Sequence, residues 1–134
     1  MTTNRQMTKA IILLLISDQL VLSVIQETLE HEGYLVIATR DLGAAVDRVR
    51  ECPPDLLITR TYISGMNGHD AAKYLRNKCR GMRVLITGGL LDDERLRYRE
   101  SLEGFEVFPK PYTATELIEK VREVLLEAPA SNRR

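Results

Sequence analysis

Residues 10–16, AIILLLI, form an unbroken apolar run that is followed at once by Ser17-Asp18-Gln19. This run constrains the fold more than any other stretch. A strand with one wet face alternates apolar and polar residues, whereas a strand covered on both faces reads as continuously apolar, as in parallel sheets flanked by helices. The run is therefore predicted to be a buried strand. Arg5 and Lys9 ahead of it imitate a secretory signal, but seven residues fall far short of a membrane span and no small-x-small cleavage site follows.

Downstream, apolar runs alternate with helical periodicity. Val21, Val24, Ile25 and Leu29 recur on one helix face, and Gly33 supplies a stop, so a first helix is expected over residues 19–32. Residues 34–39 form a second strand candidate. Leu42, Ala45, Val46 and Val49 mark a second helix that must end before Pro53-Pro54. Residues 55–59 read as the third strand, Ala72, Leu75 and Cys79 as the stripe of a third helix, and residues 83–87 as a fourth strand broken by Gly88-Gly89. A charged fourth helix is expected over residues 92–102 and a short fifth strand at Val107-Phe108. Thr113-Ala114-Thr115-Glu116 is a capping-box sequence that opens a last helix with Leu117, Val121, Val124 and Leu125 inward.

Five such repeats imply an α/β fold with a doubly wound, five-stranded parallel sheet. Right-handed crossovers then gather the C-terminal ends of the strands on one edge, where ligand and catalytic groups of such sheets collect. Ser17, Asp18, Arg60, Thr87 and Lys110 all fall there. Residues 1–8 read as an N-terminal extension, 9–126 as one domain, and 127–134 as a tail or truncated linker.

Charge excludes some functions. Lys plus Arg and Asp plus Glu each number 19, so no bulk field draws the chain to nucleic acid or to an anionic membrane. Cys52 and Cys79 lie far apart without a C-x-x-C or a histidine cluster and are expected to be free, reduced thiols of a cytoplasmic protein. His31 and His69 have no spacing partner and are expected at solvated helix ends or caps. Gly65-x-x-Gly68 and Gly88-Gly89 are turns, since a nucleotide fingerprint needs Gly-x-Gly-x-x-Gly directly after a strand. Arg95, Arg97 and Arg99 on the fourth helix read as a solvated face.

The run Pro53-Pro54-Asp55, then Arg60, then Gly65-Met66-Asn67-Gly68, together with Thr87 closing the fourth strand and Lys110-Pro111 after the fifth, resembles the receiver domain of bacterial two-component response regulators over residues 9–126. The resemblance implies a flavodoxin-like (βα)5 receiver fold. It places the phosphoacceptor position at Arg60, the pair of acidic-pocket positions at Ser17 and Asp18, the switch hydroxyl at Thr87, its aromatic partner at Val107 and the phosphate-contacting lysine at Lys110.

Arg60 has no oxygen with which to form an acyl phosphate. Magnesium prefers an octahedral oxygen shell with carboxylates, so with Asp18 as the sole weak candidate its binding is expected to be lost or weak, and no cofactor is expected. The Arg60 guanidinium is expected to pair with Asp18 instead, the plain alternative being that it snorkels out of the strand end into solvent. No nucleophile and base are paired at the strand ends, so the chain is not expected to be an enzyme.

The leading reading is a pseudo-receiver, a signalling module that works by protein contact without aspartyl phosphorylation. The resemblance makes an output domain a partner, with homodimerisation through the fourth helix, fifth strand and fifth helix, and no membrane contact. One alternative is a degenerate regulator that still docks a histidine kinase in a phosphorelay. Another is a small-ligand or anion sensor that uses the strand-end pocket.

Overall fold

The computed structural model describes residues 10–63, 65–87, 104–108 and 112–126. The expected helix over 92–102, with Arg95, Arg97 and Arg99, lies outside the described residues, as do Gly88-Gly89, Lys110-Pro111, and residues 1–8 and 127–134.

In chain order the described elements are β1 (Ile11–Leu15), α1 (Gln19–His31), β2 (Leu35–Thr39), α2 (Leu42–Glu51), β3 (Leu56–Arg60), a small antiparallel pair β4 (Tyr62–Ile63) and β5 (Met66–Asn67), α3 (Gly68–Lys78), β6 (Arg83–Thr87), β7 (Glu106–Phe108) and α4 (Ala114–Leu126). The main sheet is five-stranded and parallel, in the order β2-β1-β3-β6-β7. This is the expected α/β architecture. The pair β4-β5 was expected as a loop; two-residue strands carry no periodicity to read.

The apolar runs behave as strands covered on both faces. Ile12, Leu13, Leu14, Leu15 and Ile16 are all fully buried. Alternate residues serve two cores: Leu13, Leu15, Leu57, Val84 and Ile86 pack with Ala45, Val49, Ala72, Leu75 and Phe105. Ile12, Leu14, Ile58 and Leu85 pack on the other face with Leu22, Ile25 and Leu29 of α1 and Leu117, Val121 and Val124 of α4. At about 25 cal/mol per Å² of apolar area removed from water, these two layers supply the main drive to fold. No helix among the described residues is long and apolar enough to cross a membrane.

Local chemistry sets the element ends. Asp18, Asp41 and Asn67 are extended N-cap residues whose side-chain oxygens accept amide hydrogens of α1, α2 and α3. Before α4 the capping box closes reciprocally: Thr113 N donates to Glu116 Oε1 at 2.8 Å, and Glu116 N to Thr113 Oγ1 at 3.1 Å. At the N-terminal edge of the sheet, Asp55 joins three strands. Its Oδ2 accepts from Ile11 N at 2.8 Å, its amide donates to Ile11 O at 2.8 Å, and its carbonyl accepts from Arg83 N at 3.0 Å.

Candidate functional site

Arg60 closes β3, the middle strand, after four fully buried residues, and is itself half-buried. Its Cα partner on β6 is Thr87, the last residue of that strand. Ile58 and Leu85, two residues earlier on each strand, face the core shared with α1 and α4. By the two-residue period of a strand, Arg60 and Thr87 lie on that same face.

The backbone at Arg60 is held from the far side by α3. Gly68 N donates to Thr61 O at 2.9 Å, and a Cβ built on Gly68 would collide with the Arg60 carbonyl oxygen. Glycine at 68 thus answers a close backbone approach. Gly65, with φ of 83°, turns the hairpin between β4 and β5, and Asn67 Oδ1 then caps α3 through His69 N at 2.7 Å. The Gly65-Met66-Asn67-Gly68 segment therefore reverses the chain, caps a helix and seats it on the end of β3.

Ser17 and Asp18 follow β1, the strand next to β3. The exposed Asp18 carboxylate uses Oδ1 to accept Leu20 N at 3.0 Å and Val21 N at 3.3 Å. The expected pair with Arg60 is not formed: among the described residues Arg60 takes part in no ion pair and no side-chain hydrogen bond. The physical reason is local. A carboxylate just ahead of a helix meets free amides two and three residues away, and the positive end of the helix dipole favours it there.

A second arginine occupies this edge that sequence reasoning missed. Arg40, directly after β2, donates from Nε (3.2 Å) and Nη2 (3.0 Å) to the Ser17 carbonyl. Its signal was a cation ending a strand beside the first.

Three threonines near the strand ends differ in their bonding. Thr39 Oγ1 donates to Leu14 O at 2.6 Å, and Thr59 Oγ1 to Leu15 O at 2.8 Å. Thr87 Oγ1, on a residue 1% exposed, has no hydrogen-bond partner among the described residues. Its neighbours in register are Arg60 on one side and Phe108 on the other. Phe108 stacks on Tyr112 with centroids 4.6 Å apart. Val107 pairs with Ile86, one step before Thr87, and is half-buried. Lys110, assigned the phosphate contact by resemblance, lies outside the described residues.

The edge thus brings Ser17, Asp18, Arg60 and Thr87 together on three adjacent strands and adds Arg40. Among the described residues no three of His, Cys, Asp and Glu gather to hold a metal. His69 corrects its expectation: it is 5% exposed, with its ring 5.5 Å from that of Phe105. The cause is the seating of α3, whose first turn rests on β3. Arg76 lies over the Phe105 ring, 4.7 Å from its centroid. His31, by contrast, is exposed at the end of α1.

A model of the response regulator receiver domain matches residues 12–122. The transcriptional regulatory protein CpxR of Escherichia coli (strain K12) is 31% identical over 114 residues, covering 85% of this chain and 48% of CpxR. CpxR of Klebsiella pneumoniae subsp. pneumoniae (strain HS11286) is 28% identical, with the same coverage. The chain spans about half the length of these curated relatives. Among solved structures, the chemotaxis protein CheY4 of Vibrio cholerae superposes with a TM-score of 0.78 at 18% identity, over 87% of this chain and 99% of that one. The receiver domain of NtrX from Brucella abortus gives 0.77 at 18%, over 85% and 97%. At such identities the structural likeness is one of fold.

Proposed function

The chain belongs to the response regulator receiver domain family, and from that premise we propose that it is a signalling module acting by protein contact without aspartyl phosphorylation. One observation carries this reading. The residue that ends the central strand, at the edge where the family does its chemistry, is Arg60. A guanidinium has no nucleophilic oxygen.

The donor set also fits a magnesium ion poorly. Ser17 is neutral and its carbonyl is already bound by Arg40. One oxygen of Asp18 is engaged with the α1 amides. Arg60 brings a positive charge where a carboxylate would bring a negative one, and at ~4 Å with an effective dielectric of ~20 each unit pair is worth about 4 kcal/mol before screening. A hard divalent ion that dehydrates reluctantly is disfavoured by such a set.

Incubation with carbamoyl phosphate and magnesium tests the reading. The intact mass is expected to stay unchanged; stoichiometric acid-labile phosphate on the chain would overturn it. A second reading, a degenerate regulator that still docks a histidine kinase, is favoured by α1, where Leu20 and Val24 stand one helical turn apart at 77% and 62% exposure. Binding to a kinase that weakens in Leu20→Ser and Val24→Ser would favour it over an output partner alone.

A further inference from the structure

Two residues whose side chains have no hydrogen-bond partner among the described residues stand in register at the ends of β3 and β6, Thr87 buried and Arg60 half-buried. Thr87 Oγ1 is buried without a hydrogen-bond partner among the described residues, an arrangement that destabilises a fold unless something else supplies the bond. Its counterparts Thr39 and Thr59 both reach carbonyls of β1. Thr87 is flanked in register by Arg60 and Phe108. Half-buried Arg60, in turn, has no acceptor among the described residues. A guanidinium offers only donors, in a planar fork, and a threonine hydroxyl offers one more. The chemistry that satisfies both together is an oxygen-rich anion.

We propose that the Arg60–Thr87 edge reversibly binds a small oxyanion without a metal, so that its charge preference is the inverse of a divalent-cation pocket. Arg60 forks onto two anion oxygens and Thr87 donates its hydroxyl hydrogen to another. Asp18 and Asp41 each engage Oδ1 with the first amides of a helix. Arg40, fixed on the Ser17 carbonyl, adds a second cation on the same edge. No covalent bond forms, and the anion leaves as it came. The inference rests on the reading that position 60 does not accept a phosphoryl group.

Thermal shift and calorimetry on the whole chain test it, with inorganic phosphate or acetate at constant ionic strength and EDTA present throughout. Phosphate is expected to raise the melting temperature, because it binds only the folded state. Arg60→Gln is expected to weaken phosphate binding about tenfold or more, and Thr87→Val about fivefold. The valine variant is also expected to melt higher than the parent without ligand, which separates the two roles: a merely structural threonine would move the melting temperature and leave phosphate affinity intact. A response to acetate equal to that of phosphate identifies a carboxylate as the oxyanion; a response confined to phosphate identifies a tetrahedral one.

No phosphate response in the parent, or a response undiminished in both variants, overturns the inference. Intact mass after incubation with carbamoyl phosphate keeps the two proposals apart. A phosphoryl gain sinks the protein-contact reading, whereas unchanged mass without a phosphate response sinks only the anion site.

Discussion

Both edges of the sheet bond most of their polar groups, Asp18, Thr39, Arg40 and Thr59 among them at the C-terminal one, and they differ at the ends of β3 and β6. At the N-terminal edge polar groups meet partners: Asp55 binds Ile11 through both its amide and its carboxylate and accepts Arg83 N, while Cys79 Sγ, at the end of α3, lies 3.7 Å from Pro54 O. At the C-terminal edge Thr87 Oγ1 is buried and unbonded, and the Arg60 guanidinium has no acceptor among the described residues. The first edge closes the fold and the second leaves groups available. Unsatisfied buried groups persist where something besides stability is selected, because each costs about 1–3 kcal/mol. The difference is what leads us to propose a role for the second edge.

The largest expected effect marks where the open edge must nevertheless be rigid. Gly68→Ala drives a methyl group into the Arg60 carbonyl, which is backbone on a central strand and cannot swing aside. A stability loss of about 3 kcal/mol or more is expected in urea denaturation. A loss under about 1 kcal/mol would show that the first turn of α3 can back away, and that Arg60 is less firmly placed than the contact implies. On the closed edge, Asp55→Ala removes the charge-assisted bond to Ile11 N and is expected to cost about 1.5 kcal/mol while leaving any phosphate response of the open edge unchanged. Coupled losses would mean that the edges are not independent.

What the chain disclosed beforehand follows the same division. Its three inner strands β1, β3 and β6 were legible because parallel strands buried on two faces read as apolar runs, whereas the edge strands β2 and β7 are only partly buried; the last helix was legible because Thr113 and Glu116 form their box within four residues. Of the expected stripe Val21, Val24, Ile25 and Leu29, a local pattern, three positions survived folding; Val24 is instead 62% exposed, and Leu22 takes a buried place on that face. The pairing of Asp18 with Arg60 did not, because a tertiary ion pair inferred from fold position competes with amides next door, and those amides hold Asp18 Oδ1. His69 was misplaced for the reverse reason. Its helix-start position reads as wet, but Gly68 presses that turn onto β3, so burial is decided by a neighbour far away in sequence. The fork from Arg40 to Ser17 spans 23 residues and has no periodic signal at all.

Next in size is a pair of substitutions with opposite signs. Thr59→Val deletes a hydroxyl bonded to Leu15 O at 2.8 Å and is expected to lower stability by about 1 kcal/mol. Thr87→Val deletes an unbonded one, conserves volume, and is expected to raise stability by a similar amount, about 1 kcal/mol. Both are read as shifts in urea midpoint at constant slope. Two losses of the same sign would mean that the Thr87 hydroxyl does have a partner in solution, and the contrast between the edges would fail.

The smallest effect belongs to Cys79 on the closed edge. Burial raises the pKa of its thiol first, and the nearby charge of Asp55 raises it further. A thiol whose pKa is higher folded than unfolded contributes stability that is fully present below the unfolded pKa, and that is lost as pH rises toward and through the folded one, because the unfolded chain ionises first. Stability should therefore fall slightly on the alkaline side, an effect absent in Cys79→Ala. Alkylation gives the finer reading, since only the thiolate reacts. In a Cys52→Ser background at mildly alkaline pH, Asp55→Asn removes the charge but keeps the shape and should speed modification of Cys79 about twofold. An unchanged rate would leave burial as the sole cause, and the Asp55 carboxylate would then serve this edge through its bond to Ile11 alone.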